Sequence, residues 1–315
     1  MLKITVDIFS GRPNPTWMID DGRAKEILDL VSKNKEVISK TNQGYDGLGF
    51  RGLHLELMGD ENVKGIPYQF ALANGSSEVG QKQGLEISRI IVDQMLRYEK
   101  MNLEMLNITP VDKNIQQIIM GGMDSYEKNL KSILKYTSMQ QRILRQTSAI
   151  RVTVPDPSCA RCQYEESRYN PAFWNSNTNV MRNNNCYNYA RNWRTDTFAQ
   201  PGRYSGRTAG SMSCGEVKAA AMRDGLKERC TCLPQEEYPR RLMALVIAPG
   251  IDYHWYRKHT NGFWGHKPGG TAARNVDNSG RLITNPETCD RGAGTYLNYT
   301  DFCGYFYAGK SVKIR

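Results

Sequence analysis

Leu242-Met-Ala-Leu-Val-Ile-Ala248 is followed by Pro249-Gly250, then by Asp252-Tyr-His-Trp-Tyr-Arg257 and Gly262-Phe-Trp-Gly-His-Lys-Pro268. The first run is continuously apolar and of strand length, which makes it the best buried strand in the chain. The next two strands are expected over Tyr253 to Lys258 and Gly262 to Lys267. His259-Thr-Asn-Gly262 joins them, and its Asn-Gly pair is a strong hairpin signal. An aromatic, strand-like tail runs from Tyr299 to Val312. Upstream, Met181-Arg-Asn-Asn-Asn-Cys-Tyr-Asn-Tyr-Ala190 sets three asparagines before a helix-compatible run. Short helices are expected from Cys186 to Trp193 and from Cys214 to Asp224. Helices first and an antiparallel meander after them give an α+β order.

The chain has 315 residues, too many for one ordinary core, and suits two domains. The boundary is placed at Thr153-Val-Pro-Asp-Pro-Ser158, where two prolines break the pattern, dividing the chain into 1–152 and 153–315. The first domain also reads as α+β. Leu2 to Phe9 alternates like a strand, and Ser10-Gly-Arg-Pro-Asn-Pro15 is a turn-rich break. Asp20 or Asp21 caps a helix through about Ser32, with Ala24, Ile27, Leu28 and Val31 on one stripe. Strands are expected over Gly52 to Met58 and Pro67 to Ala73, separated by a turn at Gly59-Asp-Glu-Asn62. Helices are expected from Leu85 to Asn102 and from Lys113 to Arg145, the second interrupted at Gly121-Gly122. This half holds one histidine, His54, and no cysteine, so it reads as a packing or recognition module.

Charge is unevenly spread. Residues 1–150 carry 19 Lys and Arg against 18 Asp and Glu, whereas residues 151–315 carry 23 against 14, and 17 of the 23 are arginine. Such an excess points to an anionic partner for the second half: an acidic polymer, a carboxylate-bearing peptide, or nucleic acid as a less favoured option. No apolar run reaches membrane-spanning length. The amino-terminal stretch lacks the layout of a cleaved secretory signal, which predicts a cytoplasmic protein, export by a signal-independent route, or a sequence shown without its signal.

Cys186 in the first turn of an asparagine-capped helix would lie near unpaired N–H groups and the positive helix end, both of which favour thiolate. The same N–H groups would hold an oxyanion. His254 is the candidate general base, and His266, on the partner strand, the candidate residue orienting it. Asn185, Tyr187, Trp255, Arg257, Trp264 and Lys267 are the candidate substrate-binding residues.

A cysteine at a helix start, followed by a meander whose first histidine lies 12 residues before a second polar residue, resembles the NlpC superfamily of papain-like cysteine hydrolases. Asn-Cys-Tyr-Asn-Tyr-Ala at 185–190 is also similar to the amidase branch of that family. The resemblance covers residues 180–308 and implies a papain-like second domain, with the helix-borne cysteine packed on an antiparallel sheet. It further implies amide hydrolysis through a Cys186 thioester, with cell-wall peptide as substrate and no cofactor required. The Asp-Cys-Ser-Gly form common around the nucleophile is missing, and Trp255 and Tyr256 replace the smaller residues usual after the base.

All eight cysteines lie in the second half. Cys159, Cys162, Cys230 and Cys232 would supply four thiolates to a structural zinc, or pair as disulfides, or stay free. Cys289 and Cys303 would fit one more pairing. Two other functional classes stand beside the hydrolase: a thiol acyltransferase, and a non-enzymatic basic binding or matrix protein with structural cysteines.

Overall fold

Alternation at period two builds the first sheet. In β1 (Leu2–Val6), Leu2, Ile4 and Val6 are buried while Lys3 and Thr5 are half-buried. β1 pairs antiparallel with β2 (Thr16–Ile19) and β3 (Leu53–Leu57), and β3 with β4 (Gln69–Leu72), giving the order β2-β1-β3-β4. The computed structural model describes all residues except 41–43, 60–62, 64, 76, 103–108, 140–150 and 294. The chain divides into two units. The first contains Met1–Phe9, Pro13–Arg142 and Gly294–Tyr296, and the second contains Ser10–Arg12, Ile143–Ala293 and Leu297–Arg315. A single cut in sequence therefore misses that Ser10–Arg12 belongs with the later residues.

In the first unit, α1 (Asp21–Lys33) begins where Asp20 accepts the N–H of Arg23, and it buries Ala24, Ile27, Leu28 and Val31. Ser77 caps α2 (Glu78–Asp93), which starts seven residues before the expected Leu85 and passes into a 3-10 segment over Met95–Asn102. Gly121 and Gly122 do not interrupt α3 (Lys113–Lys128). A Cβ at Gly121 would collide with the Tyr296 ring, and one at Gly122 would lie 2.8 Å from Cδ1 of Ile8, so both glycines serve close packing. The helix breaks at Asn129 instead, before α4 (Leu130–Met139). The expected continuation to Arg145 and the turn at 60–62 lie outside the described residues.

A hairpin, β5 (Arg151–Asp156) and β6 (Cys159–Ser167), runs through the stretch where two prolines were read as a domain boundary. Pro155 is tolerated because a two-stranded sheet has only edge strands. Two short helices follow, α5 (Ala172–Asn175) and α6 (Thr178–Asn183), and then α7 (Cys186–Arg191) and α8 (Cys214–Arg223). The main sheet contains β7 (Lys227–Glu228), β8 (Arg241–Ala248), β9 (Asp252–Lys258), β10 (Trp264–His266) and β11 (Asp301–Ala308). Its order is β10-β9-β8-β11-β7, antiparallel throughout. Every residue of β8 is buried, as its apolar run requires. Asn261 and Gly262 take φ of 69° and 80° in the connection, which is why an Asn-Gly pair stands there. Met243, Leu245, Ile247, Tyr253 and Trp255 pack with Cys186, Tyr187, Ala190 and Val217 into one core. Both units are α+β.

Candidate functional site

The amino end of α7 is built by Asn185. Its Oδ1 accepts the N–H groups of Tyr187 and Asn188 at 3.1 and 3.2 Å, while Asn188 Oδ1 accepts the N–H of Asn185 at 3.1 Å. This capping box uses the donors that were expected to hold an oxyanion. Asn185 Nδ2 donates to the carbonyls of Gly11 (2.7 Å) and Ala199 (2.8 Å), which fixes the cap from the other side. Cys186 does begin the helix, but it is fully buried in the apolar core. Burial, reinforced by the Asp252 carboxylate, pushes its thiol well above the usual range. A thiol so placed is a core side chain and not a nucleophile.

The histidines belong elsewhere. Alternation along β9 sets Tyr253 and Trp255 against Cys186, while His254 packs on the opposite face with Tyr256 and His266. His254 Nδ1 is 3.0 Å from Ser10 Oγ, and its Nε2 is 2.8 Å from His266 Nδ1. His266 Nε2 meets the Val276 carbonyl at 2.9 Å and Arg274 Nε at 3.1 Å. Burial, with Arg274 and His254 adding to it, holds His266 well below the usual imidazole range, so it is neutral. The expected cross-strand contact between the two histidines is present, but it joins them to Ser10 and Val276 and leaves Cys186 out.

The centre of this network is Asp252, two residues before His254 on β9. Its carboxylate accepts the N–H of Ser10 (2.6 Å), Gly11 (3.3 Å) and Arg12 (3.0 Å), and the hydroxyls of Ser10 (3.1 Å) and Tyr299 (2.6 Å). Five donors on one buried carboxylate make it a structural hub. The only signal for it was the turn at Ser10-Gly-Arg, and nothing local pairs that turn with residue 252.

All six expected substrate-binding residues are buried, so none is presented to solvent. Tyr187 donates its hydroxyl to Asp224, and Trp255 lies in the core. Trp264 is 4% exposed beneath Lys258. Lys267 donates to the carbonyls of Met181, Asn184 and Gly269, and Arg257 donates to the Tyr189 carbonyl. The zinc site is corrected too. Cys159 bonds Cys230 and Cys162 bonds Cys232, so these sulfurs are not thiolate ligands. Cys303 pairs with Cys214 rather than with Cys289, and Cys186 and Cys289 are free.

What the second unit does present is arginine and lysine set over aromatic rings. Arg194 lies 3.5 Å above Phe173, which is 41% exposed. Arg191 and Lys313 both address Trp193, Arg229 lies over Tyr305, and Arg151 over Tyr238. Arg191 and Arg229 already donate to the Lys310 and Val312 carbonyls and to Asp156, whereas Arg151 and Lys313 are exposed and can meet an anion.

Comparison with known proteins removes the papain-like assignment: no family model matches, and no solved structure matches. The chain is similar to the insoluble matrix shell protein 1 of Ruditapes philippinarum, with 46% identity over 149 residues, which are 47% of this chain and 94% of that protein. That relative is described as an insoluble shell matrix protein and not as a peptidase, so the hydrolase and thiol-protease expectations are withdrawn. Among the described residues, no helix is long and apolar enough to cross a membrane.

Proposed function

Because the chain belongs to the family of that insoluble matrix shell protein, we propose that it is a non-enzymatic, extracellular matrix protein whose basic second unit binds an anionic polymer. One observation carries this reading. Six of the eight cysteines are cross-linked in three disulfides, and the sulfur best placed by sequence for catalysis is sealed in the core. Disulfides of this number persist in oxidising, extracellular surroundings. Two of them tie β6 to the segment at 230–232, across separations of 71 and 70 residues. Because the two close nearly the same loop, they contribute about 4 kcal/mol together and not twice over. A surface held this way keeps its arginine–aromatic pairs in place against a rigid polymer, so less ordering entropy is lost on binding.

The test is sedimentation of the oxidised full chain with carboxymethyl-cellulose and with unmodified cellulose. Binding to the charged polymer alone, falling steeply between 50 and 500 mM salt and weakened by Arg194→Ala with Lys313→Ala, is expected. Equal retention on the neutral polymer, or none on either, would overturn the reading.

A further inference from the structure

At one end of the core face of the main sheet, beside the last turn of α7, three arginines are buried together. Arg191, Arg241 and Arg257 are 6%, 6% and 3% exposed. Met243 pairs with Arg257, and Arg241 lies two residues before Met243 on the same face of β8, so Arg241 and Arg257 are diagonal cross-strand neighbours, about 7–8 Å apart at the backbone. Arg151, exposed at the start of β5, adds its charge to both. The charges of Glu165 and Glu237 reach Arg241 and Arg191, but both carboxylates make their hydrogen bonds to other groups. Glu165 is taken by Arg240, whose N–H, Nε and Nη2 all reach it, and Glu237 accepts the N–H of Ser311.

Arg191 is satisfied by the carbonyls of Lys310 and Val312. The other two are not. Arg257 donates Nη1 to the Tyr189 carbonyl and lies 4.5 Å over the Tyr189 ring, and Arg241 donates Nη1 to the Pro239 carbonyl. Among the described residues, the Nε of each is buried and has no acceptor. Burial first, and then the neighbouring Arg257, Arg191 and Arg151, pull Arg241 down to about 9. A buried donor without an acceptor is costly, and more so on a charged group, so these groups call for an acceptor of opposite charge.

We propose that Arg151, Arg241 and Arg257 form an oxyanion-binding site, which takes a single carboxylate, sulfate or phosphate group between the side-on N–H edges of Arg241 and Arg257, with Arg151 at its solvent side. A planar or tetrahedral oxyanion is the acceptor that a guanidinium edge matches, through Nε and one terminal nitrogen together. The site does not depend on the matrix reading, since Arg241 and Arg257 are interior groups and only Arg151 is shared with the exposed arginine–aromatic pairs. Its ligand could be a free inorganic anion or an acidic side group carried on a chain, and the two share the chemistry.

Nitrogen-15 NMR of the arginine Nε–H groups in the oxidised full chain tests the proposal, with sodium sulfate, sodium phosphate or a short poly-aspartate added at constant ionic strength against chloride. The Arg241 and Arg257 signals are expected to shift and saturate. Arg241→Gln should weaken the apparent affinity tenfold or more, about 1.4 kcal/mol. Arg151→Gln, at an exposed position that leaves folding intact, should weaken it by a smaller factor. Saturation by sulfate or phosphate identifies a free ion as ligand, and saturation by poly-aspartate alone identifies an acidic chain. Signals from Arg241 and Arg257 that stay fixed with all three anions, or that move equally in the Arg151→Gln protein and in chloride alone, would overturn the site.

Discussion

The carboxylate of Asp252 accepts the backbone N–H of Ser10 at 2.6 Å, across 242 residues of sequence. Ser10 in turn bonds His254, Tyr299 and the Tyr253 carbonyl. An early turn is thereby built into the interior of the second unit, with Gly11 so close to Tyr253 that a Cβ there would collide with its carbonyl oxygen. Asp252→Ala removes the acceptor of three backbone donors and of the Ser10 and Tyr299 hydroxyls, and it is expected to cost about 3 kcal/mol or more in urea unfolding. Ser10→Ala removes one hydroxyl and should cost about 1 kcal/mol. Equal, small losses from both would show that Asp252 is not the hub.

Cys186 should behave as a packing residue. In the oxidised, folded protein, iodoacetamide is expected to modify Cys289, which is half-buried and pushed only to about 11, before it modifies Cys186. Cys186→Ala leaves a small cavity and should cost about 1 kcal/mol with polymer binding unchanged. Fast labelling of Cys186 at neutral pH that His254→Ala abolishes would contradict the buried arrangement.

The disulfides should carry much of the stability of β5 and β6. Arg229 pairs with the buried Asp156, and Arg240 with the buried Glu165, but few apolar side chains hold the hairpin, for Val152 is 43% exposed. Replacing Cys159, Cys162, Cys230 and Cys232 together by alanine is expected to cost about 4 kcal/mol and to expose the hairpin to limited proteolysis, while β8 and β9 stay protected from hydrogen exchange. Loss of protection throughout the second unit would show that the staple supports the sheet as a whole.

Parts of this fold were legible because their signals are local. The continuous apolar run of β8, the Asn-Gly pair before β10 and the Asp20 cap each act within a few residues. β5 was hidden because its residues face solvent almost throughout, so no alternation marks it. The site was misread for a related reason. Asn185 before Cys186 is the same cap whether the sulfur is reactive or inert, and the difference lies in what covers it: Val217, Leu245 and Trp255, which the sequence scatters across 39 residues. The parity of β9, which sends Trp255 to the cysteine and His254 away from it, is a property of packing that spacing along the chain does not reveal.

Acid should weaken the two units in different pH windows. In the second, burial holds His259 and His266 well below their ordinary 6.5, so both are neutral when folded. The unfolded chain binds their protons below that value, so their contribution is full above about pH 6.5 and is lost as the pH falls from there, at up to about 1.4 kcal/mol per pH unit for each histidine. In the first unit, burial opposes ionisation of Asp7, yet Arg51 at 2.6 Å holds its carboxyl below the ordinary 3.8. A folded value below the unfolded one means stability that is present above pH 3.8 and lost as the pH falls through the folded value. Trp17 is the one tryptophan of the first unit, and the other four lie in the second. Fluorescence of Trp17→Phe therefore reports the second unit alone, whose urea midpoint should begin to fall near pH 6.5. His266→Gln should reduce that slope, whereas Asp7→Asn should leave it unchanged and act only on the step below pH 4. A midpoint that is flat from pH 7 to 5 would mean that the histidines are as accessible to protons in the folded chain as in the unfolded one.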